Sequence, residues 1–194
     1  MQICSWAKTF FFALFFSKLF VFANGADDYL STQLRVQELF AKFKSSVVRV
    51  KATREQEVKG KTKRLLKMGS GFFASKDGHV LTTGLLPNAD RVWIEYNKEY
   101  YLAESLGSDT LCNLSLLKTY KKPESFNFIS FSGNDNPVLP GSFLLGLTFA
   151  LEFQISPTIG IMQSSESTFG RNLFPTKMFR TSLALGPGEV GAPV

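Results

Sequence analysis

The chain has 194 residues, 44% of them apolar and 20% charged, with 22 Lys and Arg against 16 Asp and Glu. That length suits one domain or a compact two-lobed one, and the apolar fraction excludes an intrinsically disordered chain. A formal charge of +6 is too mild for a dedicated nucleic-acid binder, and no fixed-period repeat points to a solenoid.

Residues 1–25 differ from the rest. "MQICSWAK" is a positive start, "TFFFALFFSKLFVF" a short apolar run, and "ANGA" a small-residue exit. This layout predicts a secretory signal peptide cut after Ala23 or Gly25, and hence a secreted or periplasmic protein. The alternative is an uncleaved membrane anchor. A spanning helix needs about 20 apolar residues, and Lys18 interrupts a shorter run. Lys8 and Lys18 leave with the segment, so the formal charge falls from +6 to +4. Cys4 leaves too, and Cys112 alone cannot form an internal disulfide. With one cysteine and one histidine, His79, a zinc site would need several carboxylates. Neither a metal nor a cofactor is expected.

Residues 26–45 predict one helix. Asp27 and Asp28 are good N-terminal residues, and Leu30, Leu34, Leu39, Phe40 and Phe43 recur at near-helical spacing. Such a stripe ordinarily packs on its own domain. From residue 46 to 120 the texture changes to short strands: "SVVRVKA", "GSGFFAS", "HVLTT", "RVWIEY", "EYYLAESLG" and "LSLLKT". Turn signals such as "KDG" and "PNAD" separate them. "KKPES" then breaks the pattern, and residues 121–194 offer "FNFISFSG", "SFLLGLTFA", "ISPTIGIMQSS" and "KMFRTSLAL". Six strands, a break and at least four more predict an all-β fold of paired barrels.

The order of these segments resembles the trypsin-like protease domain of the HtrA/Deg family, from the helix near residue 30 to the last residue. "SSVVRVKA" is similar to its first strand and "GSGFFASKDGHVLTT" to its glycine-led hairpin. "AESLGSDTLCNLSLLK" and "VLPGSFLLGLTFALEFQISPTIGIMQ" follow in the family's order, and "MFRTSLALGPGEVGAPV" is similar to the segment ending in G-N-S-G-G-P. The resemblance implies an all-β, chymotrypsin-like double β-barrel with an N-terminal helix.

For chemistry the same resemblance points the other way. It places the catalytic histidine at Leu85, the acid at Asn113 and the nucleophile at Val190. A serine hydroxyl becomes a nucleophile only when a base takes its proton and returns it to the leaving amine. Leucine and valine have no lone pair or transferable proton, and Asn113 has no imidazole at Leu85 to orient. Losing a whole triad costs about 10⁶-fold in turnover in a subtilisin-type enzyme, and oxyanion binding supplies what remains. Gly188, Glu189 and Val190 form the remnant of that oxyanion loop, with the Glu189 carboxylate expected where negative charge should collect.

Three other residues are weighed and set aside. His79, in "KDGHVLTT", reads as a turn histidine. Cys112 precedes Asn113, and strand alternation would face its thiol away from the old cleft, buried and inert. Ser182, in "RTSLAL", has no base nearby in sequence. The basic run Lys59, Lys61, Lys63, Arg64 and Lys67 falls between the first two strands. A solvated loop is the default for it, and a docking patch for an acidic protein or an anionic envelope surface is the sharper reading.

The resemblance also implies further strands after residue 194, so the second barrel is expected to be incomplete at the C-terminus. The sequence is a fragment, an early stop has shortened it, or a partner supplies the missing strands. The expected function is that of an exported, catalytically inactive homologue that binds or scaffolds extended peptides or envelope proteins, without nucleic acid. The rivals are a serine endopeptidase working through other residues and a fragment with no function.

Overall fold

The computed structural model describes residues 28–84, 88–131, 137–167 and 178–194. The segment read as a signal peptide, and Leu85, lie outside these residues. The chain divides into two units, Met1–Leu39 and Phe40–Val194. In the first, the described residues are helical, and this helix, α1, spans 28–43. The Ser31 and Thr32 hydroxyls donate back to the Asp28 carbonyl at 2.8 and 3.0 Å, and Arg35 pairs with Glu38 one turn on at 2.8 Å. The expected apolar stripe is only partly buried: Leu30 and Leu34 are exposed.

In the second unit a 3-10 turn, Lys44–Ser46, leads into six strands. These are β1 (Val47–Val58), β2 (Lys61–Phe73), β3 (His79–Thr83), β4 (Arg91–Tyr96), β5 (Glu99–Asp109) and β6 (Leu114–Thr119). All pairings are antiparallel, and the order β1-β2-β3-β6-β5-β4 closes into a barrel. Alternation in the sequence sets the inside. Val48, Val50, Phe73, Val80, Ile94, Tyr96, Ala103 and Leu117 form the buried cluster, with Val92, Tyr101 and Phe126 packed against it. The interior is graded. Phe73 and Tyr96 meet edge to face at 5.5 Å toward one end. Toward the other, the rows of paired residues present Ala52 opposite Val92 and Thr82 opposite Ser115. Small side chains leave that end open.

The outer face of β1 is covered as well. Arg49 is 4% exposed. Its guanidinium donates to Glu95 Oε1 at 2.5 Å and to the Phe153 carbonyl at 2.5 Å, and it lies 4.8 Å from the centre of the Phe149 ring. Lys51 joins the cluster at 3.0 Å from Glu95 and 3.2 Å from Glu152. Phe149, Glu152 and Phe153 belong to the second half of the chain, so β1 seats that half on the barrel.

The second half contains β7 (Phe143–Phe149), β8 (Ile155–Ser167) and β9 (Met178–Thr181), an antiparallel sheet in the order β7-β8-β9. A closed barrel followed by this second sheet, behind an N-terminal helix, is the chymotrypsin-like double-barrel architecture, with the second sheet open among the described residues. One expected strand is absent. The run "FNFIS" is irregular, because its neighbours are already paired around the closed barrel. It bonds singly instead: the Ile129 amide to the Phe73 carbonyl at 2.8 Å and the Asn127 amide to Ser45 at 3.3 Å. Phe126 still serves packing, its ring tilted against that of Phe73 at 4.3 Å.

Candidate functional site

The C-terminal end of β3 gathers the positions of interest. Gly84, the residue before Leu85, donates its amide to the Asn113 carbonyl at 3.0 Å. A Cβ on Gly84 would stand 2.9 Å from the Asn113 side-chain oxygen, so the amide group of Asn113 lies directly against this strand end. Asn113 has φ 54°, in the left-handed region that asparagine tolerates. It sits in the turn before β6, as does Cys112. The strand-alternation argument for Cys112 therefore fails, and its thiol is half-buried instead of fully buried. The Asp109 carboxylate shapes this turn by accepting the amides of Leu111 and Cys112 at 2.8 and 3.1 Å. Those bonds hold its pKa below the ordinary value.

The loop 186–191 reaches the same strand end from the second half. Ser70 donates its amide to the Val190 carbonyl at 2.9 Å. Gly191 has φ +90°, and a Cβ there would run into the Ser70 carbonyl oxygen and stand 2.8 Å from Thr82 Oγ1 and 2.9 Å from the Thr83 nitrogen. Gly188 has φ +86°, and a Cβ there would meet the Leu151 backbone. Only glycine fits either place. Ser70, fully buried, completes the seat: its hydroxyl donates to the Gly188 carbonyl at 3.2 Å and accepts the Phe149 amide at 2.8 Å.

The Glu189 side chain turns back into its own loop. Its carboxylate accepts the buried Thr148 hydroxyl at 2.8 Å and the Gly186 amide, while its own amide donates to the Gly186 carbonyl at 3.2 Å. Its charge is thus tied to the loop's base. Val190 points outward and is 44% exposed. Asn113, against Gly84, and Gly191, against Thr82 and Thr83, therefore both border the C-terminal end of β3. A cavity of about 920 Å³ opens on the Asn113 side of this strand end, at the mouth of the first barrel, lined by Thr82, Gly84, Asn113 and Ser115 among others but not by Val190.

The remaining candidates are elsewhere. His79 stands at the opposite end of β3, about 13 Å of extended strand from Thr83, with Nδ1 2.6 Å from Ser75 Oγ. Spacing alone gave no sign of this pair, although Ser75 lies four residues upstream in a tight turn. Ser182 is committed to β8, its hydroxyl accepting the Ile161 amide at 2.8 Å. The basic run is not a loop but the outer half of the β1–β2 hairpin, and Arg64 does not share the lysines' face: it pairs with Glu55 at 2.7 Å. No group of three His, Cys, Asp or Glu side chains stands together among the described residues, and no described helix is long and apolar enough to cross a membrane.

No family model matches the chain. Curated proteins do. A protein of Marinomonas sp. (strain MWYL1) named "Probable periplasmic serine endoprotease DegP-like" is 29% identical over 130 residues, covering 66% of this chain and 27% of its own length. Identically named proteins of Pseudomonas fulva and Halomonas elongata are 28% and 27% identical over 70% and 66% of this chain. The chain spans about a quarter of the length of these relatives. Across two thirds of its residues, then, this chain is similar to proteins named as periplasmic serine endoproteases.

Proposed function

We propose that this protein is an exported, non-hydrolytic relative of the DegP-like serine endoproteases, which holds extended peptide without cleaving it. The observation that carries the reading is the seating of Val190. Its carbonyl is bonded to Ser70, its loop is locked by two left-handed glycines, and Asn113 lies at the same strand end. The backbone frame that the resemblance assigns to a nucleophile is built, while the side chain on it is a hydrocarbon. Such a group can neither attack a carbonyl nor move a proton. The names of the relatives and the layout of residues 1–25 support export to the periplasm.

Peptide would bind as an added strand. Where the first barrel is closed it offers no edge, whereas β7 and β9 border the second sheet, and β9 leads directly into the loop that carries Val190. An open strand edge pairs readily with another extended chain. Fluorescence anisotropy with extended peptides, run beside a fluorogenic peptide and casein hydrolysis assay, tests the reading. Capture without turnover is expected, and turnover blocked by a serine-directed inhibitor would refute it.

One observation favours the rival enzyme reading, the Ser75–His79 contact at 2.6 Å. Ser75 Oγ also accepts the Asp77 amide at 3.2 Å, which ties it into its turn. Loss of any measured turnover in Ser75→Ala or His79→Ala would select this pair.

A further inference from the structure

The β1–β2 hairpin outlives the barrel. Pairing of β1 with β4 stops at Thr53, and pairing of β2 with β3 covers only Gly71–Phe73, but β1 and β2 stay paired out to Val58 and Lys61. The five rows from Arg54↔Leu65 to Val58↔Lys61 form a two-stranded ribbon reaching about 17 Å beyond the barrel. Lys59 and Gly60 close it with φ 53° and 69°, the left-handed pair of a type I′ turn, whose twist suits two strands.

The register of this ribbon sorts its charge. Residues opposite one another share a face, and rows alternate. One face carries the rows Ala52↔Lys67, Arg54↔Leu65, Gln56↔Lys63 and Val58↔Lys61; the other carries Thr53↔Leu66, Glu55↔Arg64 and Glu57↔Thr62. Both acids of the ribbon are on the second face, where Glu55 holds Arg64. The first face has no acid, and Lys61, Lys63 and Lys67 are exposed on it. Val58 and Leu65 lie among them, 37% and 40% exposed.

We infer that this face docks on the anionic phospholipid surface of a bilayer. The side-chain chemistry selects lipid over an acidic protein. The exposed cations of this face are three lysines, point charges on flexible stems that can follow a fluid array of phosphates; Arg54, also on this face, is half-buried at the ribbon's base. Arg64, the exposed arginine of the hairpin, whose planar fork suits a fixed carboxylate, is on the other face and already paired with Glu55. A two-stranded ribbon, with no second layer behind it, offers no pocket for the buried anchor a protein interface needs. Val58 and Leu65 reach the depth of the glycerol groups while the lysine stems lie alongside and lift their charges to the phosphates. The opposite face, with Glu57 beside the paired Glu55 and Arg64, carries no free cation to compete.

The test is co-sedimentation of the full chain with vesicles of phosphatidylcholine alone and with about one third phosphatidylglycerol. The apolar N-terminal segment is common to all variants, so the readout is the excess binding to the anionic vesicles. Each lysine near such a surface is worth about fivefold in partition, so Lys61→Gln, Lys63→Gln and Lys67→Gln together lower the excess about a hundredfold, and salt lowers it in the wild type. Leu65→Gln weakens binding with no change in charge, and Arg64→Gln leaves it intact. Far-UV circular dichroism confirms that each exposed substitution preserves the fold. Equal excess for the triple variant and the wild type overturns the proposal, as does no excess for the wild type. Lysine-dependent capture of polyglutamate in the absence of vesicle binding overturns it in favour of a protein partner.

Discussion

The Ser70 amide donates to the Val190 carbonyl at 2.9 Å, joining β2 of the first barrel to the loop that ends the described chain. The same buried serine bonds Gly188 and Phe149 through its hydroxyl. Ser70→Ala would leave an amide and a carbonyl without that partner, at about 1–3 kcal/mol for a buried group left unsatisfied. We expect urea denaturation to show a loss of about 2–3 kcal/mol, with faster amide exchange in residues 186–191.

Gly191→Ala should cost more than an ordinary glycine substitution. Its φ of +90° is strained for alanine, and the new methyl would meet backbone atoms of Ser70 and Thr83, which cannot rotate away. The expected result is detachment of the loop, read as a lower melting temperature and increased protease sensitivity near residue 190.

Val190→Ser alone should give no hydrolysis, because no base stands ready to take the hydroxyl proton. Combining it with Leu85→His and Asn113→Asp should yield measurable cleavage of casein that serine-directed inhibitors block. Turnover in the single variant would show that another base serves the loop.

The cluster on β1 predicts an acid dependence. Burial pushes the Glu95 carboxyl up, but hydrogen bonds from Arg49 and Lys51 and their charges outweigh it, leaving the pKa below its ordinary value. A carboxyl held low in the folded state stabilises it at pH above the unfolded pKa. That contribution is lost as pH falls through the lower, folded value. For Lys51, burial lowers the pKa, but bonds to Glu95 and Glu152 raise it overall, so its contribution holds below the unfolded pKa and fades at alkaline pH. Glu95→Gln should flatten the acid limb of a stability–pH profile, and Glu95→Ala should destabilise by about 3–5 kcal/mol by stranding the buried guanidinium.

Glu189→Ala removes the acceptor of the buried Thr148 hydroxyl and of the Gly186 amide. A loss of about 1–3 kcal/mol follows from the unpaired hydroxyl. Glu189→Gln, which keeps one acceptor oxygen, should recover part of it in the same denaturation assay.

Much of the first barrel was legible in the chain, because alternation such as Val48, Val50 and Ala52 is a local property that survives into the closed sheet. The same rule misread "FNFIS", where Phe126 packs on the barrel, Phe128 is exposed, and the backbone finds no free ladder to join. The resemblance singled out position 113, but its left-handed turn and its contact with Gly84 were not legible in the chain. They depend on β3 and β6 becoming neighbours.

Residue types at 85, 113 and 190, the glycines of the last loop and the lysines of the hairpin are all written in the sequence. Tertiary structure alone decided that the last loop rests on Ser70, about 120 residues upstream, and that Glu189 turns inward to Thr148. It also decided that residues 61–67 are strand and not loop, and in a strand consecutive side chains such as Lys63 and Arg64 face opposite sides. Local patterns state which faces a strand has; only closure of the sheet states what each face meets.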